Sequence, residues 1–550
     1  MKSLTFTAMK CLQILILFIS GSTHLFAQNP QLNLENKIDS LFAIYNEKPS
    51  PGIAVGIMLN DKVLISKGYG LANLEHNIPI SGTTVFDIGS VSKQFTAYAI
   101  AQLEKEGKLS FNDDIRKYLP DLQDFGQTIT IDNLLFHTSG LRDTGSLRGY
   151  IEGRQEVGKT ITQQSQLDMI YNQRELNFKP GTQTMYCNSG YTLLSKIVEN
   201  ISEMTLANYL KKEVFEPLDM QSTLLAGSYA QIILNRAEPY NEVNGKFIRA
   251  EGMLWEDYGA SGIYSTIEDL FKWQRHIHNQ DYMLRVDPKN SATFAMGLMI
   301  NRDSNGELDE IFHFGSVPGY KTIVRYYPKI NLDVITISNL DNNTDAKSIG
   351  SIKNIVVYEK NNAVTSAIRE VPIEYLKQFE GTYLIMGDNA IIAIEGKNLM
   401  AQTPMGKLNL IPVGPNEFSM EGTNNKMIFN EALTFFTLKT PGGELKASRV
   451  EVNKPKPQYE ISLKMFSGAY KSPELKILNH VELNKNHLLI TTASNQKITL
   501  KRTGENTFEG IDSYYYSKVV FEFDNGNVMD FLVSDETGWV QNLLFEKQLD

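Results

Sequence analysis

The last third of the chain states one pattern twice. Phe379-Glu380-Gly381-Thr382-Tyr383 is echoed by Phe466-Ser467-Gly468-Ala469-Tyr470. Leu408 and Leu410, followed by Gly414-Pro415-Asn416-Glu417-Phe418, return as Ile498 and Leu500, followed by Gly504-Glu505-Asn506-Thr507-Phe508. A period of about 90 residues exceeds that of a stacked solenoid and fits a duplicated small domain. Each copy carries short alternating strands broken by turn formers such as Lys485-Asn486 and Asp524-Asn525-Gly526, the pattern of a small barrel or sandwich. One larger β domain with accidental similarity is the alternative, and landmarks recurring in the same order weigh against it. Residues 370–455 and 459–550 are therefore expected to be two all-β units. Lys454-Pro455-Lys456-Pro457 reads as the linker, because alternating prolines stiffen a chain and resist strand pairing.

In a chain of 550 residues this leaves room for a larger unit upstream. From about Asn33 to Asn362 strand-like and helix-like segments alternate, which points to an α/β layer architecture spanning residues 28–365. Ile53 to Leu59 and Val63 to Tyr69, separated by Asn60-Asp61-Lys62, form one hairpin signal. Tyr320 to Tyr327 and Leu332 to Ile337, split by Pro328-Lys329-Ile330-Asn331, form another. An antiparallel sheet built from both ends of the unit fits these positions, with a mainly helical subdomain between. Helix patterns occur at Ser92 to Glu106, Gly190 to Ile201, Thr205 to Val214 and Thr266 to His276.

The N-terminus places Lys2 and Lys10 before an apolar run from Cys11 to Ile19, then small and polar residues to Phe26-Ala27-Gln28. This reads as a signal peptide over 1–27, and so as export to a periplasm or the medium. An uncleaved anchor is the competing reading, but the run is about half the ~20 apolar residues a spanning helix needs. No stable membrane span is expected after its removal. Removal would also leave Cys187 as the one cysteine, without a disulfide partner. With the histidines scattered, no zinc spacing and no cofactor motif appear. A net charge of −10 with no long run of either sign argues against a nucleic-acid partner.

Three short motifs carry chemistry. Ser90-Val91-Ser92-Lys93 opens the strongest helix pattern, with Phe95, Ala99, Ile100 and Leu103 as its buried face. A serine there faces free backbone N–H groups, and a lysine one turn on lies beside it. A desolvated amine has a lowered pKa and can take the serine proton. Alone the tetrapeptide is weak: Ser494-Asn495-Gln496-Lys497 matches it inside a β repeat, and a plain N-cap serine with a solvated lysine is the bland reading. Tyr186-Cys187-Asn188 follows the turn signal Lys179-Pro180-Gly181 and is expected on a loop between helices. Its tyrosine can relay a proton and its asparagine can bind a substrate amide, although a core tyrosine and a loop asparagine satisfy the same pattern. His313-Phe314-Gly315-Ser316 enters the second hairpin, where Gly315 would let substrate lie along the strand edge. The Ser316 N–H would join that of Ser90 as an oxyanion hole, while His313 reads equally as a structural histidine.

These motifs, in this order, resemble the three active-site elements of penicillin-recognising serine enzymes. The likeness is closest to the class C β-lactamase and serine D-peptidase branch, whose middle motif is Tyr-x-Asn. Phe86-Asp87-Ile88-Gly89, the segment Leu134-Leu135-Phe136-His137-Thr138-Ser139-Gly140-Leu141 and the segment Ser261-Gly262-Ile263-Tyr264-Ser265-Thr266-Ile267-Glu268-Asp269-Leu270 resemble that family's framework over about residues 35 to 360. The resemblance implies a transpeptidase-like α+β domain, followed here by two barrels of lipocalin-like kind. It implies acyl transfer through Ser90, with Lys93 and Tyr186 moving the proton and Asn188, His313, Gly315 and Ser316 binding substrate. It makes His137 structural rather than a general base.

His313-Phe314-Gly315 departs from the Lys-Thr-Gly or Lys-Ser-Gly of β-lactamases, and losing that charge and hydroxyl should weaken recognition of a free carboxylate. A His-x-Gly motif followed by two β domains resembles D-aminopeptidases, whose barrels limit access to the cleft. Small peptides with D-amino-acid amide bonds are the expected substrates. Esterase, β-lactamase or DD-peptidase activity remains open, as does a catalytically inactive surface protein binding glycans or partners.

Overall fold

The computed structural model describes residues 30–548 apart from 153–159, 229, 251–253, 256, 287–293, 304, 342–345, 362–372, 386–387, 397, 404–405, 415, 421–425, 431–432, 441–442 and 450–460. The signal segment 1–27 and the linker Lys454-Pro455-Lys456-Pro457 lie outside the described residues.

A six-stranded antiparallel sheet is assembled from both ends of the first unit. Its strands are β1 (Ile53–Leu59), β2 (Lys62–Tyr69), β3 (Met299–Arg302), β4 (Leu308–Val317), β5 (Tyr320–Tyr327) and β6 (Leu332–Ser338), in the order β3-β4-β5-β6-β1-β2. The β1–β2 turn has φ of 50° at Asn60 and 60° at Asp61, the left-handed pair that matches the twist of a tight hairpin. β1 is apolar throughout because both of its faces are covered. Ile53, Val55 and Ile57 pack with helices α1 (Pro30–Leu41) and α6 (Ala346–Asn361), whereas Ala54 and Met58 join the main core on the other face. Gly56 sits on that second face, where a Cβ would come within 2.5 Å of Ile267 and 2.7 Å of Phe271 in α5 (Ile267–Ile277).

The main core joins this face to α2 (Lys93–Lys105) and α4 (Asn188–Ser202), with α3 (Thr144–Glu152) beside them. The helix expected over Thr205 to Val214 is instead a short helix, Leu206–Leu210, that widens into a π turn at Lys211–Phe215. The widened turn accompanies burial of both Val214 and Phe215, which follow each other in sequence.

Downstream, each β unit closes into an eight-stranded antiparallel barrel. The first barrel runs from β7 (Gly381–Ile385) to β14 (Gly443–Arg449), the second from β15 (Gly468–Lys471) to β22 (Leu543–Lys547). The echoed residues are their cores. Phe379 and Tyr383 are fully buried in one, Phe466 and Tyr470 in the other. In each, the tyrosine hydroxyl donates to that phenylalanine's carbonyl, at 3.2 and 2.8 Å. Ser494 lies in a turn of the second barrel and Lys497 opens the strand after it, with no helix to align them.

Candidate active site

The turn Gly89–Ser92 delivers Ser90 to the start of α2. Gly89 has φ +52°, and a Cβ on it would come within 2.7 Å of the Ser316 nitrogen. A Cβ on Gly315 would collide with the Ile88 carbonyl oxygen at 2.0 Å. Two glycines thus let β4 lie directly on the serine turn and set the Ser316 amide beside it. Asp87 holds the turn by accepting the Gly89 N–H at 2.8 Å.

Lys93, one helical turn from Ser90, has no exposed surface. Its Nζ donates to Ser90 Oγ at 3.2 Å, to Asn188 Oδ1 at 2.8 Å and to the Ala260 carbonyl at 3.0 Å. All three acceptors are neutral. Burial therefore pushes the amine down to about 8, against the opposing pull of Asp257 and Asp143.

Tyr186 lies on the approach to α4, its ring centre 4.9 Å from the Lys93 amine. Asn188, expected on the loop, is the first residue of α4. Burial drives the Tyr186 phenol well above its ordinary range, while a hydrogen bond with the Ser90 side chain opposes the shift. At neutral pH the tyrosine is a phenol and the lysine the readier base.

His313 is buried, and its Nδ1 lies 2.7 Å from the Phe314 carbonyl oxygen. Burial first, then the nearby Lys93 charge, pushes it down to about 3, so it is neutral. Phe314 and Ser316 point the other way, and Ser316 Oγ accepts from Lys321 at 2.5 Å. Lys321 is itself paired with Asp341 at 2.7 Å.

Sequence reasoning missed several neighbours. Asp143 is buried beside the middle motif, caps α3 through the Ser146 N–H and accepts the Asn188 N–H at 2.6 Å. Asp257, pushed up to about 6 by burial, accepts from Thr192 at 2.8 Å. Trp539 comes from the second barrel and places its ring 5.9 Å from that of Tyr186. Its carbonyl accepts from the Asp143 N–H at 3.2 Å and from Asn177 at 2.9 Å. One signal was available: Trp539 is the one tryptophan in the duplicated region. Among the described residues no group of three or more His, Cys, Asp or Glu is placed to hold a metal ion. Nor is any helix among them long and apolar enough to cross a membrane.

The model of one protein family, Beta-lactamase, matches residues 37–353. Protein flp of Staphylococcus aureus (strain N315) is 25% identical over 367 residues, covering 62% of this chain and 70% of its own. Among solved structures, the octameric penicillin-binding protein homologue from Pyrococcus abyssi aligns with 75% of this chain and 99% of its own, at 23% identity and a TM-score of 0.52. FmtA from Staphylococcus aureus aligns with 62% and 91%, at 23% identity and a TM-score of 0.50.

Proposed function

The chain belongs to the beta-lactamase family, and from that premise we propose that it is an exported serine hydrolase that cleaves amide or ester bonds of small peptides, D-amino-acid amides foremost. The observation that carries the reading is a fully buried amine 3.2 Å from the Ser90 hydroxyl, surrounded by neutral acceptors. With a pKa near 8, about a tenth of it is the free base at neutral pH. That fraction takes the Ser90 proton as Oγ bonds to the substrate carbonyl carbon. The N–H groups of Ser90 and Ser316 hold the oxyanion. As the carbon–nitrogen or carbon–oxygen bond breaks, Lys93 returns its proton to the leaving group through the Tyr186 phenol, and Asn188, whose Oδ1 is held by Lys93, binds the acyl group through its Nδ2 donor. Water, deprotonated by Lys93, then attacks the acyl carbon, and as the carbon–Oγ bond breaks Lys93 returns that proton to Ser90.

The third motif narrows the substrate. His313 is neutral, Phe314 offers no hydroxyl and Lys321 is already paired, so a free carboxylate finds no ready cation there. Trp539 adds an aromatic wall that suits a compact acyl group. A panel of D-amino-acid amides, short acyl esters and a chromogenic cephalosporin tests this with purified protein. Turnover of the amides is expected, with Ser90 recovered as an acylated peptide by mass spectrometry and no labelling after Ser90→Ala. Rapid cephalosporin turnover with inert amides would overturn the substrate class. Export is tested by fractionation and by the N-terminal sequence of the mature protein.

A further inference from the structure

His137 stands at a backbone position that resists it. It follows the short helix Ile131–Leu135 with φ +58°, the left-handed conformation that usually ends helices on Gly or Asn. A histidine there is strained unless its side chain returns something. The surrounding contacts show what is returned. The His137 carbonyl accepts the N–H of Met185 at 2.8 Å, and its Nδ1 accepts the N–H of Cys187 at 3.1 Å. Between those two anchors the imidazole lies against the Tyr186 ring, with centres 4.5 Å apart and planes 32° from parallel. Phe294 closes its edge at 5.0 Å and Tyr191 packs at 5.2 Å. Only 3% of His137 is exposed, and an Nδ1 that accepts leaves its proton on Nε2.

We infer that His137 is the positioning residue for Tyr186: it grips the chain on both sides of the tyrosine and fixes the ring plane that aims the phenol at Ser90. The inference rests on the reading of Tyr186 as proton relay given above. His137 touches neither Ser90 nor substrate and transfers no proton. Burial and the neighbouring charge of Lys93 keep it neutral, which preserves Nδ1 as an acceptor.

Two variants separate the grip from the ring. His137→Phe keeps a flat ring and loses the acceptor. His137→Asn keeps an acceptor near the Nδ1 position and suits the left-handed backbone, but loses the ring. Burst-phase acylation of Ser90 is followed in the full-length protein with an activated D-amino-acid ester, alongside near-UV circular dichroism. His137→Phe should slow acylation about 10- to 100-fold with KM moved less than about threefold, and His137→Asn should recover at least about threefold of that loss. On a Tyr186→Phe background either substitution should cost less than about twofold more, since its effect passes through the phenol. A folded His137→Phe that acylates within twofold of wild type, or losses that multiply in full on the Tyr186→Phe background, would overturn the inference. If His137→Phe does not fold, the His137→Asn cycle answers the same question. Wild-type protein that never labels at Ser90 sinks the hydrolase reading instead.

Discussion

At one end of each barrel three connections differ: in the first, Ile385 and Asp388, Met420 and Lys426, and Thr440 and Gly443 bound short gaps in sequence, while in the second the corresponding hairpins turn through 472–477, 511–517 and 535–542. The strands behind them repeat one another; the loops do not. Core make-up differs in the same way. Among the described residues, the first barrel's core draws on Tyr375 to Ala447 and on none upstream of them. The second takes in Leu147 and Tyr150 of α3, with Met169 packed against it. Each of these three loops of the second barrel supplies a contact: Glu474 bonds Arg142, Tyr515 and Tyr516 pack on Tyr150, and Trp539 reaches Tyr186. The two barrels share one strand plan, and the longer loops of the second bring it against the candidate site.

The largest effect should come from the buried pair. Arg142 and Glu474 have side chains 1% and 3% exposed and meet at 2.6 Å. Glu474→Ala leaves the guanidinium with the Glu175, Gln541 and Asn542 carbonyls and the exposed Glu175 carboxylate at 3.9 Å. We expect about 3 kcal/mol of lost stability by denaturant titration. The exposed Lys426–Glu417 pair of the first barrel is the control, and Glu417→Ala should cost under about 1 kcal/mol.

Next in size is a matched pair of cavities. Leu147 and Leu399 are both fully buried, one where α3 enters the second barrel's core, the other inside the first barrel. Either Leu→Ala change should cost about 2–4 kcal/mol. Only Leu147→Ala should also depress hydrolysis, since it loosens the barrel that carries Trp539. Equal loss of activity from both would erase the distinction between the barrels.

Trp539→Ala tests the wall itself. We expect about a tenfold fall in kcat/KM for small D-amino-acid amides, with bulkier acyl groups favoured relative to wild type. An unchanged size preference would mean that the loop merely docks.

How far the sequence foretold this follows from the range of each interaction. Ser90 and Lys93 are three residues apart where a turn enters a helix, and the two hairpins announce themselves by turn chemistry, so local rules find them. The barrel cores were legible because Phe379 and Phe466, with Tyr383 and Tyr470, recur as landmarks. Asp143 escaped notice because its value lies in accepting an N–H from Asn188, 45 residues on. Arg142 and Glu474 are 332 residues apart, and charged residues are exposed by default, so no pattern marks them as buried. The π turn at Lys211–Phe215 broke a helical period that the sequence alone would continue.

The smallest effect is the most diagnostic. On the proposed mechanism the free Lys93 amine is the base, so kcat/KM should rise with pH along a limb centred near 8 and level off above it. Desolvation is the main cause of that low value, and the second barrel contributes to the water exclusion through Trp539 against Tyr186 and Tyr186 against Lys93. Opening the wall with Trp539→Ala readmits water, which favours the ammonium and raises its pKa toward the ordinary 10.5. The limb should therefore move to higher pH by a few tenths of a unit, and activity lost at pH 7 should be partly regained at pH 9 in a full pH–rate profile. Val413→Ala, at an exposed site on the first barrel, should leave the limb where it is. A limb that moves equally in both variants, or in neither, would show that the amine's environment is set by the catalytic domain alone.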